Sequence, residues 1–245
     1  IDKVKDTGSR KILPRNLPAE FVRVEGEGIY GVLHGQWAEA LLGVEDIVQE
    51  LESNPGEILR KGGGQGVTSR REFGGQEFFC KLYRPDKVHR RLRDLLTEGR
   101  AIREWRANCQ AEKLGVYTAP VAAALTKREG WHRTHVFITA PAPGEEAAAM
   151  LQKLPPGSAE RRELIRFLGG YTRSLHDLGF WHAHLHLDHL YITPERRVTL
   201  IDLERSLIRR PLPRKKIERN LRQMKRSLKR LGAGDEWKEF EHAYG

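Results

Sequence analysis

Trp181-His182-Ala183-His184-Leu185-His186-Leu187-Asp188-His189-Leu190-Tyr191-Ile192, followed shortly by Leu200-Ile201-Asp202, is the stretch on which the fold turns. Histidines and aspartates are set here among apolar residues, a pattern that carries polar groups on rigid, strand-like backbone. Two chemistries use such a stretch. One is a metal site, for which imidazole and carboxylate are suitable ligands. The other is a loop that handles a hydroxyl proton, with the Asp of the next strand holding a divalent cation. The surrounding chain has to decide between them.

Working outward, the totals set bounds. At 245 residues the chain suits one large domain, or one domain built in two lobes. A hydrophobic fraction of 39% is enough for a core. No run of apolar residues is long enough to span a membrane, and no secretory signal is visible. Cys80 and Cys109 provide no disulfide framework, which favours a reducing compartment, and Cys80 sits in an apolar run as a small core residue. The net charge of +10 is concentrated. Residues 205–230 hold twelve Lys/Arg against one acid, Glu218. Such a surface suits nucleic acid, anionic lipid or a phosphorylated glycolipid, or it is simply the solvated face of a helix.

Upstream of the loop, residues 1–28 read as an irregular lead-in or a short strand, Ile29–Leu33 as a strand, and Trp37–Leu51 as one helix stopped by Asn54-Pro55-Gly56. Ile58 and Leu59, the glycines Gly62, Gly64 and Gly66, then a Gly74-Gly75 turn and Glu77–Tyr83 read as strand, Gly-rich turn, strand, tight turn, strand. A Gly-rich turn lets backbone N–H groups approach phosphates, although most such turns bind nothing. Lys81 strengthens the reading, because a Lys in an apolar strand is costly without a partner. Residues 91–114 read as a long polar helix whose Glu104, beside Trp105, can supply that partner. Two strands follow, Val121–Leu125 and His135–Thr139. Pro141–Gly144 then separates a strand-rich part from a helix-rich one. Helices over 147–154 and 158–178 lead to the loop. After the strand at 198–201, Ile217, Leu221, Met224, Leu228 and Leu231 mark a basic amphipathic helix.

The spacing His184-x-His186-x-Asp188-His189 resembles that of the metallo-β-lactamase superfamily, where it serves a two-metal hydrolase. Against this, the motif should come early, and His242 is the sole histidine after His189. The alternative uses far more of the chain. A Gly-rich hairpin, a strand Lys, a helix Glu, a helix ending Leu175-His176-Asp177-Leu178-Gly179-Phe180, a His-led loop and Leu200-Ile201-Asp202 follow in the order of a protein-kinase-like fold.

On Glu104-Trp105-Arg106, His176–Ala183, Leu200–Arg205 and Asn220–Leu228, the sequence resembles the bacterial lipopolysaccharide core kinases, the Kdo kinase and heptose kinase group, over about residues 58–231. The resemblance implies an α+β, protein-kinase-like fold. Its strand-rich N-lobe with one long helix would span 1–140, including an irregular extension over 1–57, and its helical C-lobe 141–245. It implies ATP and Mg²⁺ as cofactors, bound by Gly62, Gly64, Gly66, Lys81 and Glu104 around the nucleotide and by Asp202 and His189 at the metal, with His182, His184 and Asp202 in the catalytic set. The acceptor would be a sugar hydroxyl on the lipid A inner-core glycolipid. The 205–230 segment would meet an anionic membrane surface, at the cytoplasmic face of the inner membrane, and no nucleic acid is expected. The family places an Asp where this chain has His184. A neutral imidazole accepts a proton but cannot supply a carboxylate's charge, so an active kinase and a nucleotide-binding pseudokinase or scaffold are both open.

Overall fold

In the computed structural model the described residues are 13, 14, 16–26, 28–42, 46–62, 66–85 and 97–245. They divide into two compact units, one holding the described residues up to Arg106 with Pro120–Pro141, the other Ala107–Ala119 with Ala142–Gly245.

The first unit is built on a seven-stranded antiparallel sheet. Its strands are Phe21–Gly26 (β1), Ile29–His34 (β2), Glu57–Gly62 (β3), Gly66–Phe73 (β4), Gln76–Tyr83 (β5), Val121–Glu129 (β7) and His132–Thr139 (β8), in the spatial order β1-β2-β7-β8-β5-β4-β3. Hairpins make every neighbouring pair except β2–β7 and β8–β5. Short helices Ala38–Leu42 (α1) and Ile47–Ser53 (α2) lay Leu41, Ile47, Val48 and Leu51 on the sheet, against Phe73, Phe78 and Ile138. The extension expected over 1–57 is not irregular throughout: it holds the strand expected at 29–33 and a short strand within 1–28, and with α1 and α2 it supplies part of this core. The single helix expected over 37–51 is two. Asp46 takes the amides of Val48 and Gln49 at 3.1 and 2.9 Å, capping a new helix in place of continuing an old one.

Arg100–Lys113 (α3) carries Glu104 and the fully buried Trp105, whose ring meets Phe21 edge-on at 5.6 Å. This helix begins later than the expected 91. Residues 97–99 are not helical, and 91–96 lie outside the described residues.

In the second unit, Ala147–Lys153 (α4), Ala159–Asp177 (α5), Arg214–Arg230 (α6) and Trp237–Tyr244 (α7) surround a four-stranded sheet. That sheet runs β6-β12-β11-β9, from Tyr117–Thr118 (β6), Glu145–Glu146 (β9), Leu190–Ile192 (β11) and Val198–Leu200 (β12). Phe180–Trp181 (β10) pairs with Leu207–Ile208 (β13). Ser158 caps α5 by accepting from the Arg161 amide at 3.2 Å, and Gly179, with φ of 76°, ends the helix in the left-handed conformation. Leu164, Ile165, Leu168 and Leu175 of α5, Leu187, Leu190 and Leu200 around the loop, and Met224 and Leu228 of α6 form one core. At Gly169 a Cβ would lie 2.4 Å from the Phe240 carbonyl oxygen, so α5 and α7 touch backbone to backbone there. The architecture is α+β, and no described helix is long and apolar enough to cross a membrane.

Candidate active site

Each unit carries its own constellation. In the first, Lys81 sits in the sheet interior, opposite Thr68 on β4 and Phe137 on β8. Its Nζ donates to Glu104 Oε1 at 2.6 Å. The Glu104 side chain is 1% exposed, and its other oxygen accepts from the Tyr83 hydroxyl at 3.1 Å. A carboxylate this deeply buried is tolerable only when both oxygens are held. Alternation along β5 explains the arrangement, because Lys81 and Tyr83 project from the same face. Lys81 itself is 20% exposed and lies 5.8 Å from the Phe137 ring centroid.

Gly66 pairs with Tyr83 and with Gly62 at the turn end of the β3–β4 hairpin. A Cβ on Gly66 would lie 3.1 Å from Tyr83 Cδ1, so this glycine has a packing reason of its own. Gly64 lies outside the described residues.

In the second unit, the loop from His182 to His189 is fastened to the strand end that carries Asp202. His182 is 1% exposed. The His184 amide donates to its Nδ1 at 3.1 Å, and the Ile201 carbonyl lies 2.9 Å from its Nε2. An amide only donates and a carbonyl only accepts, so His182 is the neutral tautomer with its hydrogen on Nε2. Burial, then the neighbouring His189, pushes its pKa down to about 4. His189 donates from Nδ1 to the His184 carbonyl at 2.7 Å, which directs its Nε2 elsewhere, and its own carbonyl accepts from the Ile201 amide at 3.2 Å. Both sides of the Ile201 residue are therefore held by the loop. Asp202 follows with φ of 62°, a conformation uncommon outside glycine and one that recurs at functional positions. Its carboxylate is the donor type Mg²⁺ takes. The nitrogen of His189 is a softer donor, which Mg²⁺ takes less readily.

His184 is partly exposed, and its imidazole makes no hydrogen bond to another described residue. Asp188 turns away from the loop interior and meets Arg230 at 2.6 and 2.7 Å. Among the described residues no group of three or more His, Cys, Asp or Glu is placed to hold a metal, which removes the structural basis for the HxHxDH hydrolase alternative. The histidine rings stay neighbours, with His186 and His189 centroids 5.9 Å apart, but two members of the motif are tied elsewhere: Asp188 to Arg230 of α6 and His189 Nδ1 to the His184 carbonyl. A cleft of about 530 Å³ lies in this unit, lined by Met150, Leu164, Phe167, Ile192 and Arg196 among others, and none of the candidate catalytic, nucleotide or metal residues lines it.

Three residues of the Asn220–Leu228 stretch, to which the sequence alone gives no role, hold the loop from behind. Asn220, Gln223 and Ser227 of α6 are buried. Asn220 Nδ2 donates to the His182 carbonyl at 2.7 Å, Gln223 Nε2 to the Ala183 carbonyl at 2.8 Å, and Ser227 Oγ accepts from the Leu187 amide at 3.1 Å. The available signal was polar residues at i, i+3 and i+7, each adjoining the apolar stripe of Leu221, Met224 and Leu228.

No curated protein matches the chain closely. The model of the lipopolysaccharide kinase (Kdo/WaaP) family matches residues 49–244, a span that takes in Lys81, Glu104, the His182–His189 loop, Asp202 and all of α6. Family membership implies lipopolysaccharide kinase activity, with a glycolipid acceptor and, as for kinases in general, ATP and a divalent cation. With most of the chain inside that match, this protein belongs to the lipopolysaccharide kinase (Kdo/WaaP) family.

Proposed function

We propose that the protein is an ATP- and Mg²⁺-dependent phosphotransferase acting on a sugar hydroxyl, Kdo or heptose, of the lipopolysaccharide inner core. The observation that carries this reading is the Lys81–Glu104 pair at 2.6 Å. A lysine fixed by a fully buried carboxylate is pre-positioned for an anionic ligand and needs little reorganisation when one arrives. In this reading Lys81 holds the nucleotide phosphates, with the glycine hairpin at Gly62, Gly64 and Gly66 beside them. Asp202 and His189 hold Mg²⁺. The cation supplies charge neutralisation between the phosphates during in-line transfer. His182 keeps the loop backbone in place, and His184 receives the acceptor's hydroxyl proton, for which a neutral imidazole is competent. The exposed cations of α6 meet the anionic membrane surface in which the acceptor sits.

One observation favours a second reading, a nucleotide-binding pseudokinase: the residue at the base position is His184, which when protonated opposes Mg²⁺ in place of helping it. A thermal-shift titration with ATP, with and without Mg²⁺, tests the nucleotide site. The expected result is a shift that needs both and disappears in Lys81→Met. Incubation with ATP, Mg²⁺ and Kdo-bearing lipid A, read by mass spectrometry, is expected to add one phosphate. No product at high enzyme concentration, combined with product from His184→Asp, overturns the active-enzyme reading in favour of the pseudokinase.

A further inference from the structure

Three consecutive peptide groups of the loop are each held at a defined atom. The carbonyl between residues 182 and 183 takes the Asn220 amide at 2.7 Å. The carbonyl between 183 and 184 takes the Gln223 amide at 2.8 Å, while the N–H of that same peptide goes to His182 Nδ1 at 3.1 Å. The carbonyl between 184 and 185 takes His189 Nδ1–H at 2.7 Å. His184 is therefore fixed through its backbone on both sides, and its side chain takes no part in the fixing.

Asn220 is fully buried and uses nearly all its hydrogen-bonding capacity. Its second amide hydrogen goes to Gln223 Oε1 at 2.9 Å, and its Oδ1 lies 3.2 Å from Nε2 of His176. That histidine is braced in turn by the Tyr244 hydroxyl, 2.9 Å from its Nδ1. A core helix gains nothing from a buried amide that apolar packing would not supply, since replacing both partners of a hydrogen bond by apolar groups is nearly neutral. Here, however, the partners are main-chain carbonyls that have left the β ladder at Trp181 and cannot be dispensed with. The amides stand where an apolar residue would leave those carbonyls to rotate.

We propose that Asn220 and Gln223 are positioning residues: α6 sets the two peptide planes ahead of residue 184, and thereby the direction in which its side chain is presented to an acceptor hydroxyl. The proposal rests on reading this loop as the phosphotransfer loop. The chemistry needs it because proton acceptance tolerates little displacement, and a shift of about 1 Å at a reacting group costs on the order of 100-fold in rate.

The test uses the full chain in two variants. Asn220→Asp keeps shape and removes the donors, and Gln223→Met keeps length and removes the amide. Amide hydrogen exchange is followed at His184 and, as a control, at Leu168 in the centre of α5. The expected result is exchange at His184 at least about 10-fold faster, with Leu168 unchanged, as for local opening. For phosphate transfer from ATP to Kdo-bearing lipid A, the expected result is kcat lowered at least about 10-fold with KM for ATP within about two-fold. A purely stabilising role would move Leu168 protection and the melting temperature together and leave kcat of the folded fraction intact, and that outcome overturns the proposal. So does unchanged His184 exchange in a folded variant. If Asn220→Asp does not fold, Gln223→Met decides. If the unsubstituted protein transfers no phosphate, the kinase reading fails, while the exchange data still decide whether α6 positions the loop.

Discussion

At the scale of single residues, the second unit is governed by one neutral histidine. His182 accepts from an amide and donates to a carbonyl, so a proton added to Nδ1 would break the contact that holds the His184 amide. Its pKa in the fold is about 4 against an ordinary 6.5. Between those values the unfolded chain binds the proton and the folded chain does not, so stability rises with pH through that window and levels off above it. The contribution is on the order of 3 kcal/mol. Urea denaturation between pH 4 and pH 7 is expected to show this rise, and His182→Asn is expected to lose most of it; an unchanged slope would show that other groups set the acid limit. Lys81 and Glu104 illustrate what a single residue reveals in sequence. A lysine in an apolar strand demands a partner, and the demand pointed correctly to a glutamate beside a tryptophan. Asn220 and Gln223 made no such demand, because polar residues on a basic helix pass for solvated ones until the loop behind them is known.

At the scale of elements, the strands and helices with clean periodicity were legible, and the exceptions have local causes. The Trp37–Leu51 periodicity continues across a break because both helices lie on the same sheet face, and the break is made by the Asp46 carboxylate, which competes for amides as a cap. The helix Trp237–Tyr244 is not legible in the sequence. Its apolar Trp237, Phe240 and Tyr244 repeat too briefly at the end of the chain to stand out, yet Phe240 is fully buried and stacks on Trp237 at 4.7 Å. That helix depends on Gly169. Replacement by Ala would place a Cβ 2.4 Å from the Phe240 carbonyl and force α5 and α7 apart. Gly169→Ala is expected to destabilise by about 1–3 kcal/mol despite Ala's better helix propensity. A chemical-denaturation midpoint at or above that of the unsubstituted protein would show that the contact yields.

At the scale of the whole molecule, charge is as unevenly distributed as chemistry. Arg214, Lys215, Arg219, Arg222, Lys225, Arg226, Lys229 and Arg230 of α6 are exposed, on the helix whose buried polar side holds the loop. Each cation near an anionic bilayer contributes about 1 kcal/mol. Reversing Arg222, Arg226 and Lys229 to Glu, all clear of the loop contacts, is expected to weaken binding to phosphatidylserine-containing vesicles by at least about 100-fold at low salt. Binding that is indifferent to both salt and reversal would show that another surface carries it.

The latch around residue 184 has a consequence for the history of the protein. All the bonds that hold the loop there run through main-chain atoms or through other side chains. Folding therefore exerts almost no selection on which side chain residue 184 carries. A carboxylate can be lost from that position, or regained in one substitution, with every one of these bonds kept; what the exchange alters is the charge met by the neighbouring His182 and His186.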